Sequence, residues 1–176
     1  LAVYDPAQDR FHAYTERDGL QSNAFVIGSA SRAEDGELFF GGLKGFNAFY
    51  PQDIRNNPVP PTIVLTAFRE FDQIQEFPQD LNHLEEIQIP SRVSFFAIEF
   101  AALDYADPLG NQYAYKLEGF DQDWIACGNR RYASYTNLPP GNYLFRVKGS
   151  NSDGVWNETG KTLRLIITPA WYQTGW

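Results

Sequence analysis

Short apolar segments separated by glycine and proline constrain the fold of this chain more than any other feature. The 176 residues include 14 Gly and 11 Pro, which stand between the apolar runs. Both residue types interrupt helices, whereas short strands joined by tight turns accommodate them at this spacing. The pattern therefore predicts an all-β protein. The aromatic content of 16% agrees with this prediction, because aromatic side chains favour strands.

Alternation of apolar and polar residues locates the strands. It is clearest near the C-terminus, where Tyr143 and Val147 fall on one face while Arg146 and Lys148 fall on the other. Burial on one face only is typical of antiparallel sheets with one face in water. The predicted strands are residues 37–41, 46–50, 62–68, 85–89, 93–101, 112–117, 131–136, 141–150 and 161–168, and one helical turn is expected over residues 78–84.

A proline-rich connector divides the chain. Residues 56–61 (NNPVPP) hold three prolines, which neither a helix nor a central strand tolerates. Residues 62–168 contain seven of the predicted strands, which is the size and spacing of an immunoglobulin-like or fibronectin type III-like β-sandwich. The cysteine pair of antibody domains is absent, so the likeness is to the architecture alone. Tyr135 precedes the LPPG turn and is a candidate for a corner contact through its hydroxyl.

The region before the connector follows a different pattern. Residues 1–6 (LAVYDP) align with residues 46–51 (FNAFYP) at an offset of 45 residues, with apolar, aromatic and proline positions coinciding. A period of this length suits the blades of a β-propeller. A propeller needs about four to eight blades, so residues 1–55 would be only the C-terminal remnant of one. Open strand edges in such a remnant would be available to pair with a second copy of the chain.

The charge of the chain narrows the class of partner. It has 14 Lys and Arg against 22 Asp and Glu, which gives a net charge of −8 at pH 7. Phosphate backbones require a basic surface, so we expect no nucleic-acid partner. No apolar run in the sequence approaches the roughly 20 residues that span a bilayer. The chain contains no Met, and we therefore expect it to be a piece of a longer protein.

Three neighbouring carboxylates are the sharpest candidates for catalysis. Glu118, Asp121 and Asp123 lie within six residues, and glycosidases use paired carboxylates in a cleft. However, these acids stand in the sequence EGFDQDW, which has the glycine of a turn between two strands. Asp in such a turn accepts hydrogen bonds from backbone amides. We therefore expect a structural role for all three and no catalytic residue in the chain.

Metal and nucleophile chemistry have few candidates. Residues 151–154 (NSDG) offer spaced oxygens, but a calcium loop needs six or more ligands, and only Glu158 follows nearby. His12 and His83 lie near no nucleophile-elbow sequence, and two histidines cannot complete a zinc site without carboxylates. Cys127 is the single cysteine and cannot form an internal disulfide. We expect a hairpin turn at residues 151–154, an inert thiol, and neither a metal nor a cofactor.

Exposed aromatic residues suggest two further roles. Trp124 and Trp156 would form a sugar-stacking platform if both lay exposed on one face, although most aromatics in a sandwich of this size must fill its core. The tail, residues 169–176, contains Trp171 and further aromatics after the last predicted strand. Aromatics of this kind mark the membrane interface, which favours a juxtamembrane segment. The alternative is that Trp171 packs against the end of the sandwich.

Several long motifs carry a family resemblance. They are YAYKLEGFD at residues 113–121 with Trp124 after it, YTNLPPGNY at 135–143, SNSDGVW at 150–156 and PAWY at 169–172. This stretch resembles the Y_Y_Y domain of two-component regulator-propeller sensors. The sequences DGLQSN at residues 18–23 and FGGLKGF at 40–46 resemble the last propeller blade of the same sensors. The resemblance covers nearly the whole chain and is weakest over residues 70–90.

The resemblance implies a periplasmic part of an inner-membrane sensor from a Gram-negative bacterium. In such sensors a non-catalytic sandwich couples upstream propellers to a transmembrane helix and a cytoplasmic output, and helps two protomers to pair. A homodimer through the sandwich or the open blade edges is therefore expected, with residues 161–168 passing the signal to the membrane helix. A carbohydrate ligand would bind the propellers, most of which this chain lacks. The alternative is a secreted carbohydrate-binding or accessory module of a polysaccharide-degrading enzyme.

Overall fold

The computed structural model describes residues 1–6 and 9–169. They form fourteen strands and three 3-10 turns, and no α-helix occurs in these ranges. The chain divides into two compact units, Leu1–Asn56 and the part from Asn57 onward. The predicted all-β fold class is confirmed, because a two-sheet sandwich follows a smaller antiparallel unit. The 3-10 turns are Glu16–Asp18, Pro51–Asp53 and Leu81–His83, and the last lies within the predicted helical turn.

The first unit contains a hairpin and a three-stranded sheet, both antiparallel. Its strands are β1 (Ala2–Asp5), β2 (Arg10–Ala13), β3 (Phe25–Arg32), β4 (Leu38–Gly42) and β5 (Gly45–Phe49). Strands β4 and β5 lie within one residue of their predicted positions. Strands β1 to β3 were not predicted from the sequence.

Exposure explains why β3 was missed. Ile27 is fully exposed and Val26 is half-exposed, so no alternation between a core face and a solvent face marks this strand. The packing within the sheet comes from aromatic pairs. The rings of Phe40 and Phe49 are stacked with centroids 5.8 Å apart, and Phe25 meets Phe40 edge-on at 6.4 Å. The described part of this unit contains no fully buried hydrophobic side chain.

The second unit is a sandwich of two sheets. The five-stranded sheet has the order β11-β10-β13-β14-β8, and the four-stranded sheet has the order β12-β9-β6-β7. The strands are β6 (Ile63–Glu70), β7 (Gln73–Ile74), β8 (Glu86–Pro90), β9 (Phe95–Ala102), β10 (Tyr113–Glu118), β11 (Ile125–Gly128), β12 (Tyr132–Thr136), β13 (Gly141–Ser150) and β14 (Trp156–Thr168).

Both sheets contribute to one core. The four-stranded sheet supplies side chains such as Phe68 and Phe100, and the five-stranded sheet supplies Leu117, Phe145 and Leu165. Each of these five is at most 1% exposed. Full burial of one such side chain stabilises a fold by about 1.5–3 kcal/mol. The inward residues of the predicted alternating strands therefore hold the two sheets together.

Strand direction departs from the antiparallel prediction in one place. Strand β8 runs parallel to β14, with Ile87 opposite Leu165 and Ile89 opposite Ile167. Both isoleucines are buried in the core, at alternate positions of the strand predicted over residues 85–89. Alternation assigns side chains to a face of the sheet but carries no information on strand direction. The direction of β8 therefore could not be predicted from the sequence.

A bulge lengthens β14 beyond the predicted residues 161–168. Val147 of β13 lies opposite Lys161, whereas Gly149 lies opposite Asn157, so four residue steps of β14 face two of β13. Gly160 sits in this bulge with φ of 58°, and a Cβ there would lie 2.0 Å from the carbonyl oxygen of Val147. Only glycine fits both the conformation and the space.

Candidate functional site

Part of the connector is fixed to the sandwich by the turn that joins β13 to β14. Asn151 is 1% exposed, and its Nδ2 donates to the carbonyl oxygens of Asn57 at 2.8 Å and Val59 at 3.2 Å. Its Oδ1 accepts the backbone N–H of Val155 at 2.9 Å. Both polar atoms of this buried amide are thus engaged. They connect residues that are 92 and 94 positions apart in sequence.

Two further side chains hold the same segment. Asp153 Oδ2 accepts the backbone N–H of Asn57 at 2.7 Å. Asn157 Nδ2 donates to the carbonyl oxygen of Pro61 at 2.9 Å, and its Oδ1 accepts the N–H of Gly160 at 3.0 Å. We call Asn151, Asp153 and Asn157 the connector clamp. From the sequence, the first two were candidates for a turn or a calcium site, and the third was not singled out.

The clamp uses two of the side chains that were considered for a calcium site at residues 151–154. The Asn151 and Asp153 oxygens accept backbone N–H groups, as described above. The backbone N–H of Gly154 donates to the Asn151 carbonyl at 3.1 Å, which closes the expected hairpin turn. Among the residues that the structure describes, no group of three or more His, Cys, Asp or Glu side chains is placed to hold a metal.

Asp121 closes the turn after β10. Its Oδ2 accepts the backbone N–H of Leu117 at 2.7 Å and the hydroxyl of Tyr135 at 2.9 Å. Burial raises the pKa of Tyr135, and the hydrogen bond to Asp121 raises it further. The predicted capping role of the aspartate and the predicted corner contact of the tyrosine are therefore one interaction.

The other two carboxylates of this cluster have separate surroundings. Glu118 accepts a hydrogen bond from the Arg146 guanidinium at 2.9 Å on the outer face of the five-stranded sheet. Asp123 is exposed in the turn. Asp121 binds a backbone amide and a tyrosine hydroxyl, Glu118 binds an arginine, and Asp123 is exposed. The three carboxylates therefore do not share one site.

Trp124 and Trp156 lie on either side of a lysine. The Nζ of Lys148 is 4.8 Å from the ring centroid of Trp124 and 5.5 Å from that of Trp156. The Arg146 guanidinium lies 5.7 Å from the Trp124 ring, and Glu158 binds Lys148 at 2.7 Å. A sugar platform needs open ring faces, whereas cations lie over these rings, which is the geometry of a cation–π ladder.

The remaining candidates for nucleophilic chemistry are spread over the chain. Cys127 is half-buried with its Sγ 3.4 Å from the carbonyl oxygens of Tyr113 and Arg130, and burial raises the pKa of its thiol. A raised pKa lowers the thiolate fraction and therefore the reactivity. His12 lies in β2 of the first unit, and His83 lies in the last 3-10 turn of the second. The two histidines therefore belong to different units of the chain.

Buried polar residues before β10 form an unpredicted feature. Asn111 is completely buried and its Nδ2 lies 3.5 Å from the carbonyl oxygen of Asp104, which is itself buried. Within the described residues, Asn111 Oδ1 and Asp104 Oδ2 accept no hydrogen bond. The sequence gives no periodic signal for these positions because they lie in a loop.

The tail bears on the membrane prediction. Residues 170–176, including Trp171, fall outside the described residues, so the juxtamembrane expectation and its packing alternative both remain predictions. Across the described ranges, no helix has the length and apolar character needed to cross a membrane.

The fold and the clamp define a class of protein: a β-sandwich module with an N-terminal segment bound to it, preceded by a small antiparallel unit. Residues 104–168 match the Y_Y_Y domain family. The predicted resemblance is thereby confirmed.

Individual relatives extend the likeness to the whole chain. The sequence is 31% identical over 183 residues to Histidine kinase P4 of Formosa agariphila, a match that covers 100% of this chain and 13% of the kinase. The extracellular domain of the hybrid two component system BT3049 from B. thetaiotaomicron matches with a TM-score of 0.78 and 25% identity, over 96% of this chain and 23% of that one. The extracellular domain of BT4673 from B. thetaiotaomicron shares the fold, with a TM-score of 0.58 and 21% identity over 97% of this chain and 23% of its own.

Proposed function

We propose that this chain is a non-catalytic relay element in the extracytoplasmic part of a two-component sensor. The observation that carries the proposal is the match to the BT3049 extracellular domain, which covers 96% of this chain. The identity to a histidine kinase supports the same class. Because the chain spans only 13% of that kinase, ligand recognition and output belong to parts of such a protein outside it.

The relay role follows from chain order. The first unit is the remnant of the last blade of an upstream propeller, and it leads through the clamped connector into the sandwich. Strand β14 is the last described strand and ends at Thr168. A signal from upstream domains would therefore pass through the sandwich before it reaches a membrane helix. Such a relay requires two arrangements of the sandwich that a ligand distinguishes through different affinities.

Pairing and location complete the proposal. Two copies pair through the sandwich or through the open strand edges of the first unit, since unpaired edges present backbone donors and acceptors to another chain. The site of action is the periplasm, with the chain as the outer part of an inner-membrane protein. The extracellular origin of the BT3049 domain supports an extracytoplasmic location. A carbohydrate is the proposed ligand class, bound on upstream propellers.

The carbohydrate-binding module has less support. Its main evidence in the sequence was a platform of Trp124 and Trp156, and Lys148 now stands between these rings. Titration of the protein with oligosaccharides of plant and algal polysaccharides, followed by tryptophan fluorescence, tests this alternative. We expect no saturable change. A saturable change that Trp124→Ala abolishes would favour the binding module over the relay.

Reading the gene past Trp176 tests the relay proposal. We expect an apolar stretch of roughly 20 residues within a short distance, which is the length that spans a bilayer, followed by a signalling module. A stop codon or a second soluble module at this place would contradict the proposal and favour a secreted protein.

A further inference from the structure

The connector clamp joins two parts of the second unit that are distant in sequence. Its side chains stand on the β13–β14 turn and on β14, whereas the backbone they hold precedes β6. We propose that the clamp makes residues 57–61 a fixed part of the sandwich, so that a displacement of the chain before Asn57 is passed directly to β14. This inference rests on the proposed relay function and names the residues that perform it.

The chemistry of the clamp matches the chemistry of the segment. Pro58, Pro60 and Pro61 have no N–H, so the segment offers mainly carbonyl oxygens. Asn151 and Asn157 supply side-chain N–H donors to three of these carbonyls. The N–H of Asn57 instead meets a carboxylate acceptor, Asp153. The second amide of the segment, that of Val59, donates to the side-chain oxygen of Asn57 at 3.0 Å, so both amides are satisfied.

Proline also lowers the entropy that the clamp must overcome. Its ring fixes φ, so a segment with three prolines in five residues has fewer conformations to lose when it is held. A small number of hydrogen bonds can therefore hold it in place. The contact from Asp153 to Asn57 involves a charged acceptor, and such bonds are roughly twice as strong as neutral ones.

The other side of the clamp leads into a long strand of the sandwich, β14. Asn157 belongs to β14 and lies opposite Gly149 of β13. Beyond the bulge at Gly160, β14 pairs with β13 along one edge and, over residues 164–168, with β8 along the other. Leu163 and Leu165 on the same strand are completely buried in the core. A force on the connector is thus applied at the start of a strand whose later part, from Leu163 onward, is held by its neighbours and by the core.

A distance measurement within this chain tests the clamp. Val59→Cys and Thr162→Cys place spin labels on an exposed connector position and an exposed β14 position, in a Cys127→Ser background. Pulsed dipolar EPR should give one narrow distance distribution for the clamped protein. A broad distribution in this parent would overturn the proposal, because it would show that the connector moves freely on the sandwich.

Clamp variants provide the second arm. Asp153→Ala and Asn157→Ala should each broaden the distribution, and Asn151→Ala should broaden it most. Asp153→Asn keeps a hydrogen-bond acceptor and should give a narrower distance distribution than Asp153→Ala. Asn142→Ala is the matched control, because it removes an exposed asparagine of β13 that lies outside the clamp. Clamp variants that stay as narrow as this control would overturn the proposal.

Hydrogen exchange tests the clamp even if the variant at its buried position, Asn151→Ala, does not fold. The Asn57 amide should exchange about tenfold to a hundredfold faster in Asp153→Ala, which corresponds to the loss of one charged hydrogen bond. Near-UV circular dichroism shows whether Asn151→Ala folds. If it does not, the variants at the half-buried positions Asp153 and Asn157 still decide the outcome. An unchanged exchange rate at Asn57 would contradict the clamp. Neither measurement depends on the gene beyond Trp176, so failure of the relay proposal would be seen separately.

Discussion

The two units of this chain contain similar strands but bury them differently. In the first unit Phe11 and Ile27 are exposed, and aromatic pairs provide the visible packing. In the second unit Phe145 and Leu165 are completely buried between two sheets. Strand formation alone is thus a weak source of stability, and the free energy of unfolding depends on whether the strands enclose a core. The sandwich encloses its own core, whereas the described part of the first unit has no fully buried hydrophobic side chain.

Truncation of core side chains should produce the largest difference between the units. Leu165→Ala removes a buried side chain and should lower the free energy of unfolding by about 2–5 kcal/mol. Ile27→Ala in β3 should change it by no more than about 0.5 kcal/mol, because the side chain is already in water. Urea unfolding followed by far-UV circular dichroism and tryptophan fluorescence measures both. Equal losses for the two variants would show that β3 is buried and would break the comparison.

Substitution of two glycines should show how tightly the backbone of the second unit is packed. Gly160→Ala introduces a Cβ that clashes with the Val147 carbonyl in the β14 bulge, in addition to the strain of a positive φ. Gly154→Ala meets the same kind of strain with no atom within 4 Å. We expect a loss of about 1–2 kcal/mol for Gly154→Ala and a loss larger by at least about 1 kcal/mol for Gly160→Ala. Thermal unfolding compares the pair, and similar melting temperatures would contradict the tight bulge.

The Tyr135 contact should make a contribution of similar size, with a distinctive dependence on pH. Tyr135→Phe removes the hydrogen bond to Asp121 and should cost about 1.5–3 kcal/mol at pH 7, as expected for a bond to a charged group. The folded state raises the pKa of this tyrosine, so the unfolded chain loses the proton first as the pH rises. The contribution is therefore complete below about pH 10, the pKa of an unperturbed tyrosine, and declines above it.

Unfolding of wild type and Tyr135→Phe between pH 7 and pH 11 tests this sign. The stability difference between the two proteins should shrink above about pH 10. Tyr132→Phe, at an exposed position of the same strand, is the matched control and should show neither the cost nor the trend. A difference that grows with pH would mean that the folded state favours the ionised tyrosine, contrary to the geometry.

Truncation of charged surface side chains should change the free energy of unfolding least, and the two units should differ least in this respect. Lys148→Ala removes an ion pair with Glu158 and contacts with two tryptophan rings, for an expected cost of up to about 1 kcal/mol. Lys44→Ala in the first unit removes an exposed ion pair with Glu16 and should cost less than about 0.5 kcal/mol. Double-mutant cycles with the two glutamates measure each pair. A larger coupling for Lys44 would reverse the expected order.

Strands with one buried face were the ones that the sequence predicted well. Strand β13 has the predicted bounds, Gly141–Ser150, because its inward residues alternate with charged ones. Strands β3 and β11 were missed, and both are largely exposed. Alternation records the difference between core and solvent, so it is absent from strands that contact solvent on both faces.

The site residues also divide into those that local sequence predicts and those that it does not. The turn role of Asp121 and the corner role of Tyr135 were predictable, because the turn residues and the aromatic stand in recognisable local sequences. The clamp was not, since its asparagines resemble ordinary turn residues. Nothing local distinguishes an amide that caps its own turn from one that also holds a segment 94 residues away.

By itself the sequence determined the all-β class, the faces of the alternating strands and the family resemblance. These properties depend on neighbours in the chain: the period of burial, the fixed φ of proline and ordered motifs. Only the tertiary structure decided the parallel direction of β8, the binding of the connector to Asn151, and the cation between Trp124 and Trp156. Each of these is a contact between distant segments, and its geometry exists only after the sheets have formed.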